Sequence, residues 1–149
     1  MGAEAVQALS RAEKIRQYGE VFTPPGIVSQ MCDMLEEQSP GAFDPERTFL
    51  EPTCGDGAFV LEILRRKFER CKRREDFITA LRSVYAMEIQ ADNVEKTIQN
   101  VRRLCVKYFA PRKEDFKIIE DHVIQADSLK VMRMIADMNG REPPKEDEA

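Results

Sequence analysis

Acidic residues close three short apolar segments of the chain, and they are the side chains best placed to bind a polar ligand. Glu51, Glu88 and Asp127 each end such a segment, and two glycines, Gly55 and Gly57, follow the first one. A carboxylate accepts hydrogen bonds from hydroxyl and amino groups. A glycine turn lets backbone approach a ligand closely. Glu88 would accept from ribose hydroxyls and Asp127 from an adenine amino group, so a nucleoside ligand would explain the set.

Each of these residues also has a purely structural explanation. The glycines can form a turn without a ligand. Glu88 can be an acid at a helix N-terminus, because a helix is predicted to start near Ala91. Asp127 and Ser128 are both favoured at helix N-caps, and Asp127 can cap a helix and bind a ligand together. Because all three predicted strands end with an acid, we favour ligand binding over these separate structural explanations.

Strands that alternate with helices are predicted to position these acids. The alternation predicts an α/β domain with a three-stranded parallel sheet and right-handed crossovers. Ligands of such sheets bind at the carboxyl ends of the strands. We see no internal repeat. The predicted strands are RTFLEP, SVYAMEI and HVIQAD, and the predicted helices cover residues 3–17, 25–37, 58–71, 91–109 and 128–138.

Length and composition indicate one intracellular domain. The 149 residues fit a single domain over residues 1–138 with a polar tail over 139–149. The net charge of −4 argues against a broad nucleic-acid surface, so any DNA contact is local or supplied by a partner. The four cysteines form no Cys-x-x-Cys pair and His122 is the single histidine, so neither a zinc site nor a disulfide framework is expected. With no long apolar run and no signal peptide, we expect a cytoplasmic protein without a membrane span.

Two common nucleotide motifs do not fit the glycine turn. In the dinucleotide fingerprint a third glycine would stand at Val60, and the acid would lie closer to the turn than Glu88 does. A phosphate-binding Gly-x-x-x-x-Gly-Lys loop does not occur in the sequence.

Four segments together resemble the cofactor motifs of adenine-specific DNA methyltransferases of the γ type, which occur in restriction-modification systems. FLEPTCGDGAFV resembles the first cofactor motif, and GEVFTPPGIVSQMCDML resembles the motif that precedes it. YAMEIQADNV and HVIQADSL are similar to the ribose- and adenine-binding segments. The resemblance covers roughly residues 15–138. It implies a truncated Rossmann-like methyltransferase fold with N-terminal helices, and S-adenosylmethionine as cofactor.

The resemblance also implies a role for each matching residue. Thr23 would contact the methionine carboxylate, Glu88 would hold the ribose, Ile89 would pack on the adenine and Asp127 would accept from its amino group. Phe59 is expected in the core. The cofactor-binding residues implied in this way are Phe22, Thr23, Glu51, Pro52, Thr53, Cys54, Gly55, Gly57, Glu88, Ile89, Asp127 and Ser128.

The chain departs from the family at the catalytic motif. The family transfers the methyl group with an Asn/Asp-Pro-Pro-aromatic motif, which holds the target amine of a flipped base. Here Pro24-Pro25 belongs to the earlier segment, and Pro143-Pro144 lies in a charged tail. We therefore expect the cofactor-binding domain of a DNA adenine-N6 methyltransferase-like protein that needs a partner or a further C-terminal half. The alternatives are a non-catalytic regulatory or remnant module, and an interaction protein without a cofactor.

A three-stranded sheet would leave the first strand with an open edge. Exposed edges recruit partners, so we expect a homodimer or a dependent subunit in which residues 49–51 are covered.

Several other residues allow a functional and a structural interpretation. A nucleophilic role for Cys54 has no Pro-Cys motif to support it. A role for His122 as a catalytic base is equally weak, because His122 is expected to open the third strand. The basic run over residues 65–74 would either contact phosphates or form a solvated helix end, which we favour. The last helix carries Met132, Met134 and Met138, which mark either an adaptable interface or, as we expect, core packing.

Overall fold

The structure is a computed structural model that describes Ser10, Glu13 and residues 22–52 and 54–140. This part of the chain forms six helices and one sheet of three strands. The helices are α1 (Pro25–Gln38), α2 (Ala58–Glu69), α3 (Arg74–Ser83), α4 (Ala91–Tyr108), α5 (Lys113–His122) and α6 (Ser128–Met138). The strands are β1 (Phe49–Glu51), β2 (Val84–Glu88) and β3 (Val123–Gln125).

The sheet is parallel and has the order β1-β2-β3. Leu50 pairs with Tyr85, and Glu88 pairs with Gln125. The α/β class and the three parallel strands predicted from the sequence are confirmed. Within the described residues, β1 pairs with β2 alone, so its second edge carries no strand.

Part of the sequence analysis falls outside the described residues. The predicted helix over 3–17 lies there except for Ser10 and Glu13, and Thr53 and residues 141–149 lie there as well. The Ser10 N–H donates to the Glu13 carboxylate at 2.7 Å, and the Glu13 N–H donates to the Ser10 hydroxyl at 3.3 Å. This reciprocal pair is a capping box, which is typical of a helix start.

Helices α3 and α5 have no counterpart among the predicted elements. Both are 10 residues long and run directly into a strand. The Asp76 carboxylate accepts the Arg73 N–H at 3.0 Å, and the Asp115 carboxylate accepts the Arg112 N–H at 2.7 Å. These bonds satisfy N–H groups that would otherwise be unpaired at the helix start.

The two helix–strand units match each other in sequence as well as in structure. RREDF begins the first unit and RKEDF begins the second, and residues 73–88 align with residues 112–127 without a gap. In this alignment Glu88 corresponds to Asp127, although in the sheet Glu88 pairs with Gln125.

His122 is the last residue of α5 and does not open the third strand as expected. Its Nδ1 lies 2.9 Å from the Ile118 carbonyl oxygen, which fixes the ring against its own helix. The ring stacks on Tyr85 at 4.4 Å between centroids. This placement is structural and lies away from the strand ends.

Within the described residues the helices pack on one face of the sheet, and the opposite face is exposed except at the buried Met87. Val84 and Ala86 point into the core, where α2, α4 and α5 pack. Leu50, Tyr85 and Ile124 lie on the opposite face and are 54%, 41% and 45% exposed. Parallel sheets are normally covered on both faces, so this apolar face is unusual. We call it the bare face of the sheet.

The basic run over residues 65–74 divides into a buried start and an exposed end. Arg70, Lys72 and Arg73 are exposed at the end of α2, in line with the expected solvated helix end. Arg66 and Lys67 are buried. Arg66 donates to Asp33 and Glu62 at 2.7 and 2.8 Å and to the Ser29 carbonyl at 3.1 Å, which ties α2 to α1.

Lys67 supports the loop that leads into β1. Its ammonium group donates to the carbonyls of Asp44, Pro45 and Arg47. Burial lowers the pKa of Lys67 to about 8. A polar side chain inside the core therefore fixes the start of the strand.

Helix α6 begins and ends as predicted, but its apolar side chains are exposed. Met132, Met134 and Met138 are all solvent-accessible, as are Leu129 and Ile135. The expectation that these methionines pack in the core is therefore wrong. Among the described helices, none is long and apolar enough to cross a membrane.

Candidate functional site

The loops that follow the three strands meet at the carboxyl edge of the sheet. The Cys54 N–H donates to the Met87 carbonyl at 3.0 Å, and the Ala126 N–H donates to the Glu88 carbonyl at 3.0 Å. The turn after β1 and the residue after β3 are thus both bound to the end of β2. This arrangement brings the glycine turn, Glu88 and Asp127 to one edge, as the sequence predicts.

The glycine turn, residues 55–57, has a conformation that needs glycine at both ends. Gly55 has φ 56° and Gly57 has φ 94°, in the left-handed region that other residues rarely adopt. Gly57 is the N-cap of α2, and no side chain caps that helix. Its first N–H groups and the positive end of its dipole therefore face the edge of the sheet, which favours a ligand carboxylate.

Glu88 joins the glycine turn to the end of β2. Its side chain is buried, and one carboxylate oxygen, Oε2, accepts the Gly55 N–H at 2.9 Å. The other oxygen, Oε1, accepts the Gln90 N–H at 3.2 Å. Each carboxylate oxygen can accept more than one hydrogen bond, so this structural role is compatible with binding of ribose hydroxyls.

The Phe-Thr-Pro segment lies against the glycine turn. A Cβ atom on Gly55 would lie 3.0 Å from Cε1 of the Phe22 ring, so ring and turn are in contact. Thr23 is half-buried, and the Pro24 carbonyl accepts the first bonds of α1 from Ile27 and Val28. The segment predicted to cover the methionine end of a cofactor is therefore beside the turn.

Apolar side chains stand at the far end of the edge. Ile89 follows β2 and Leu129 lies in the first turn of α6, and both are exposed. The Gln125 amide donates to the Ile89 carbonyl at 3.2 Å. Sequence reasoning identified Ile89 but missed Gln125 and Leu129, although both lie within the segment HVIQADSL.

Asp127 caps α6. Its Oδ1 accepts the N–H groups of Leu129 and Lys130 at 3.1 and 3.4 Å. Among the described residues both bonds go to this one oxygen, so the capping interpretation holds and Oδ2 is the oxygen that an adenine amino group would meet. Ser128, the first residue of the helix, is buried.

The remaining predicted residues lie at the start of the glycine turn. Glu51 and Pro52 are half-buried, and Thr53 is outside the described residues. Cys54 is buried, and burial raises the pKa of its thiol to about 11. The thiol is therefore protonated at neutral pH, which argues against a nucleophilic cysteine.

Two residues of α4 hold the turn from behind, and sequence reasoning missed both. The Thr97 hydroxyl donates to the Gly55 carbonyl at 3.1 Å, and the Asn100 amide donates to the Asp56 carbonyl at 3.2 Å. Their spacing on one helix face was the available signal.

A groove adjoins the glycine turn on the side of α4. It has a volume of about 420 Å³, runs between α1, α2 and α4, and is lined in part by Asp56, Asn100 and Arg103. No group of three or more His, Cys, Asp or Glu side chains suited to a metal ion occurs in the part of the chain described.

Comparison with known proteins gives no match among protein-family models, curated proteins or solved structures.

Proposed function

We propose that the chain binds S-adenosylmethionine at the carboxyl edge of its sheet, as the cofactor-binding part of a DNA adenine-N6 methyltransferase-like protein with a truncated Rossmann-like fold. One observation carries the proposal: the buried Glu88 carboxylate meets the Gly55 N–H at 2.9 Å, directly beside the Phe22 ring. A ribose-binding acid and a methionine-binding turn would have to adjoin in this way.

The chemistry of the edge fits the parts of the cofactor in order. The uncapped start of α2 suits the methionine carboxylate, and Glu88 suits the ribose hydroxyls. Ile89 and Leu129 offer apolar surface for adenine, and Asp127 offers an acceptor for its amino group. When bound, S-adenosylmethionine supplies the electrophilic methyl group. The chain's own residues bind and orient it.

Methyl transfer to DNA needs groups that hold the target base, and the 149 residues contain no Asn/Asp-Pro-Pro-aromatic motif. Within the described residues the second edge of β1 carries no strand, and this edge and the bare face of the sheet support a further polypeptide that carries this motif and contacts DNA. That polypeptide is a second subunit or a further part of the same protein. A homodimer is the competing arrangement. Light scattering after gel filtration distinguishes them, because a monomer at micromolar concentration excludes the homodimer.

A second candidate is a cofactor-binding module without catalysis, and the absent motif favours it. Labelled methyl transfer to unmethylated DNA, with and without neighbouring gene products, separates the two. The four cysteines within the described residues are all free, which suits a reducing, cytoplasmic setting.

Calorimetry with S-adenosylhomocysteine, the stable product form of the cofactor, tests the proposal directly. We expect saturable binding that Glu88→Ala weakens and that Glu120→Ala leaves unchanged. Glu120 is the matched control because it is exposed on α5 and pairs with Arg102 away from the edge. No saturable binding by the parent chain would refute the proposal.

A further inference from the structure

The glycine turn is bound on its inner side by one face of α4. Thr97 and Asn100 are three residues apart, and they donate to the successive carbonyls of Gly55 and Asp56 at 3.1 and 3.2 Å. Thr97 is 0% exposed. Its hydroxyl therefore has no water to bond with, and the Gly55 carbonyl is its main acceptor.

Thr97 also fixes the turn by its shape. A Cβ atom on Gly57 would lie 2.9 Å from the Thr97 methyl carbon Cγ2, so the helix packs directly against this glycine. On the other side, Glu88 accepts the Gly55 N–H. Both backbone polar groups of Gly55 are thus bound by side chains, one from the end of β2 and one from α4.

We infer that Thr97 and Asn100 are positioning residues that orient the glycine turn for the methionine end of the cofactor. The inference rests on the proposed function. These residues act through the turn, because their polar groups bind its carbonyls on the side of α4. The ribose and adenine contacts come instead from Glu88, Ile89 and Asp127. Loss of the Thr97 hydroxyl should therefore weaken recognition of the amino-acid part of the ligand alone.

Two ligands and three variants test this. S-adenosylhomocysteine carries the amino-acid part, and 5′-methylthioadenosine lacks it. Thr97→Val removes the hydroxyl and keeps the shape, and Thr97→Ser keeps the hydroxyl. Thr79→Val is the matched control, because the exposed Thr79 hydroxyl donates to the Glu75 carbonyl within α3.

We expect Thr97→Val to weaken the binding of S-adenosylhomocysteine about tenfold, which is the scale of one hydrogen bond. The affinity for 5′-methylthioadenosine should change less than about twofold. Thr97→Ser should restore most of the S-adenosylhomocysteine affinity that Thr97→Val loses, and Thr79→Val should bind both ligands as the parent does. Equal weakening of both ligands by Thr97→Val, or weakening of neither, would overturn the inference while leaving the proposed function intact. A parent chain that binds neither ligand would refute the proposed function, and the inference with it.

Hydrogen exchange in the ligand-free protein gives a second measurement. The amides of the glycine turn should exchange faster in Thr97→Val than in Thr97→Ser, because the Gly55 carbonyl has lost its hydroxyl donor and keeps only the weaker bond from the Cys54 thiol at 3.8 Å. Identical exchange in the two variants would overturn the inference without reference to any ligand.

Discussion

Replacement of Glu88 by alanine should remove the preference of the site for a ribose over a deoxyribose. The carboxylate is 7% exposed and already accepts two backbone N–H groups, at 2.9 and 3.2 Å. A ribose hydroxyl that donates to it would form a hydrogen bond to a charged group, which contributes about 1.5–3 kcal/mol. The parent should therefore bind S-adenosylhomocysteine at least about tenfold more tightly than its 2′-deoxy analogue.

The same replacement should also destabilise the fold. It leaves the Gly55 and Gln90 N–H groups without their acceptor, at about 1–3 kcal/mol for each buried group. Weaker binding alone would thus be ambiguous, and the ratio between the two ligands is the informative quantity. Calorimetry on variants that urea unfolding shows to be folded gives this ratio. Glu88→Gln, which keeps the size and one acceptor oxygen, is the second variant if Glu88→Ala fails to fold.

A folded Glu88→Ala protein that still prefers the ribose form by the parent's ratio would refute the role of this carboxylate. Glu120→Ala should keep both affinities.

Three further predictions concern stability and are measured by urea unfolding. Gly57→Ala should lower the free energy of unfolding by about 1–3 kcal/mol, because φ is 94° there and the new Cβ meets Thr97. Adding Thr97→Ser to this variant should recover part of that loss. An unchanged free energy of unfolding in Gly57→Ala would contradict the predicted strain. Arg74→Met should lower the free energy of unfolding by about 3–5 kcal/mol, because Arg74 donates to both oxygens of the buried Asp115 at 2.8 Å. A loss below about 1 kcal/mol would contradict this prediction. Burial lowers the pKa of Lys67 to about 8, so the unfolded chain binds more protons than the folded one between about pH 8 and pH 10. The free energy of unfolding of the parent should rise over that window relative to Lys67→Met, and parallel profiles would refute this.

The strand-end acids and the glycine turn could be predicted because each follows a short apolar run with a distinct break. Gly55 and Gly57 marked the first turn, and the acids marked the ends of β2 and β3. Helix α6 was predicted to the residue because Asp127 caps it and its apolar spacing is regular.

Helices α3 and α5 escaped prediction because each is short and follows a segment typical of a loop, a basic one before α3 and one with Pro111 before α5. Their start is set by Asp76 and Asp115 at the third helical position, after an arginine N-cap that is not among the usual capping residues. The hydrogen bond from the arginine N–H to the aspartate carboxylate becomes evident only in the structure.

The contacts behind the site could not be predicted because they join distant parts of the chain. Lys67 bonds carbonyls about 20 residues earlier, and Thr97 bonds a carbonyl 42 residues away. A buried lysine inside a basic run has the sequence pattern of a surface helix, so periodicity gives no signal for it.

The two helix–strand units place their acids at different levels of the sheet edge. In each unit ten helical residues separate the capping arginine from the strand, and the acid follows at the same offset in sequence. Because Glu88 of β2 pairs with Gln125 of β3, Asp127 lies two residues beyond the level of Glu88 and past the end of its strand. A single small molecule that contacts both carboxylates would therefore have to extend along the strand direction as well as across the strands.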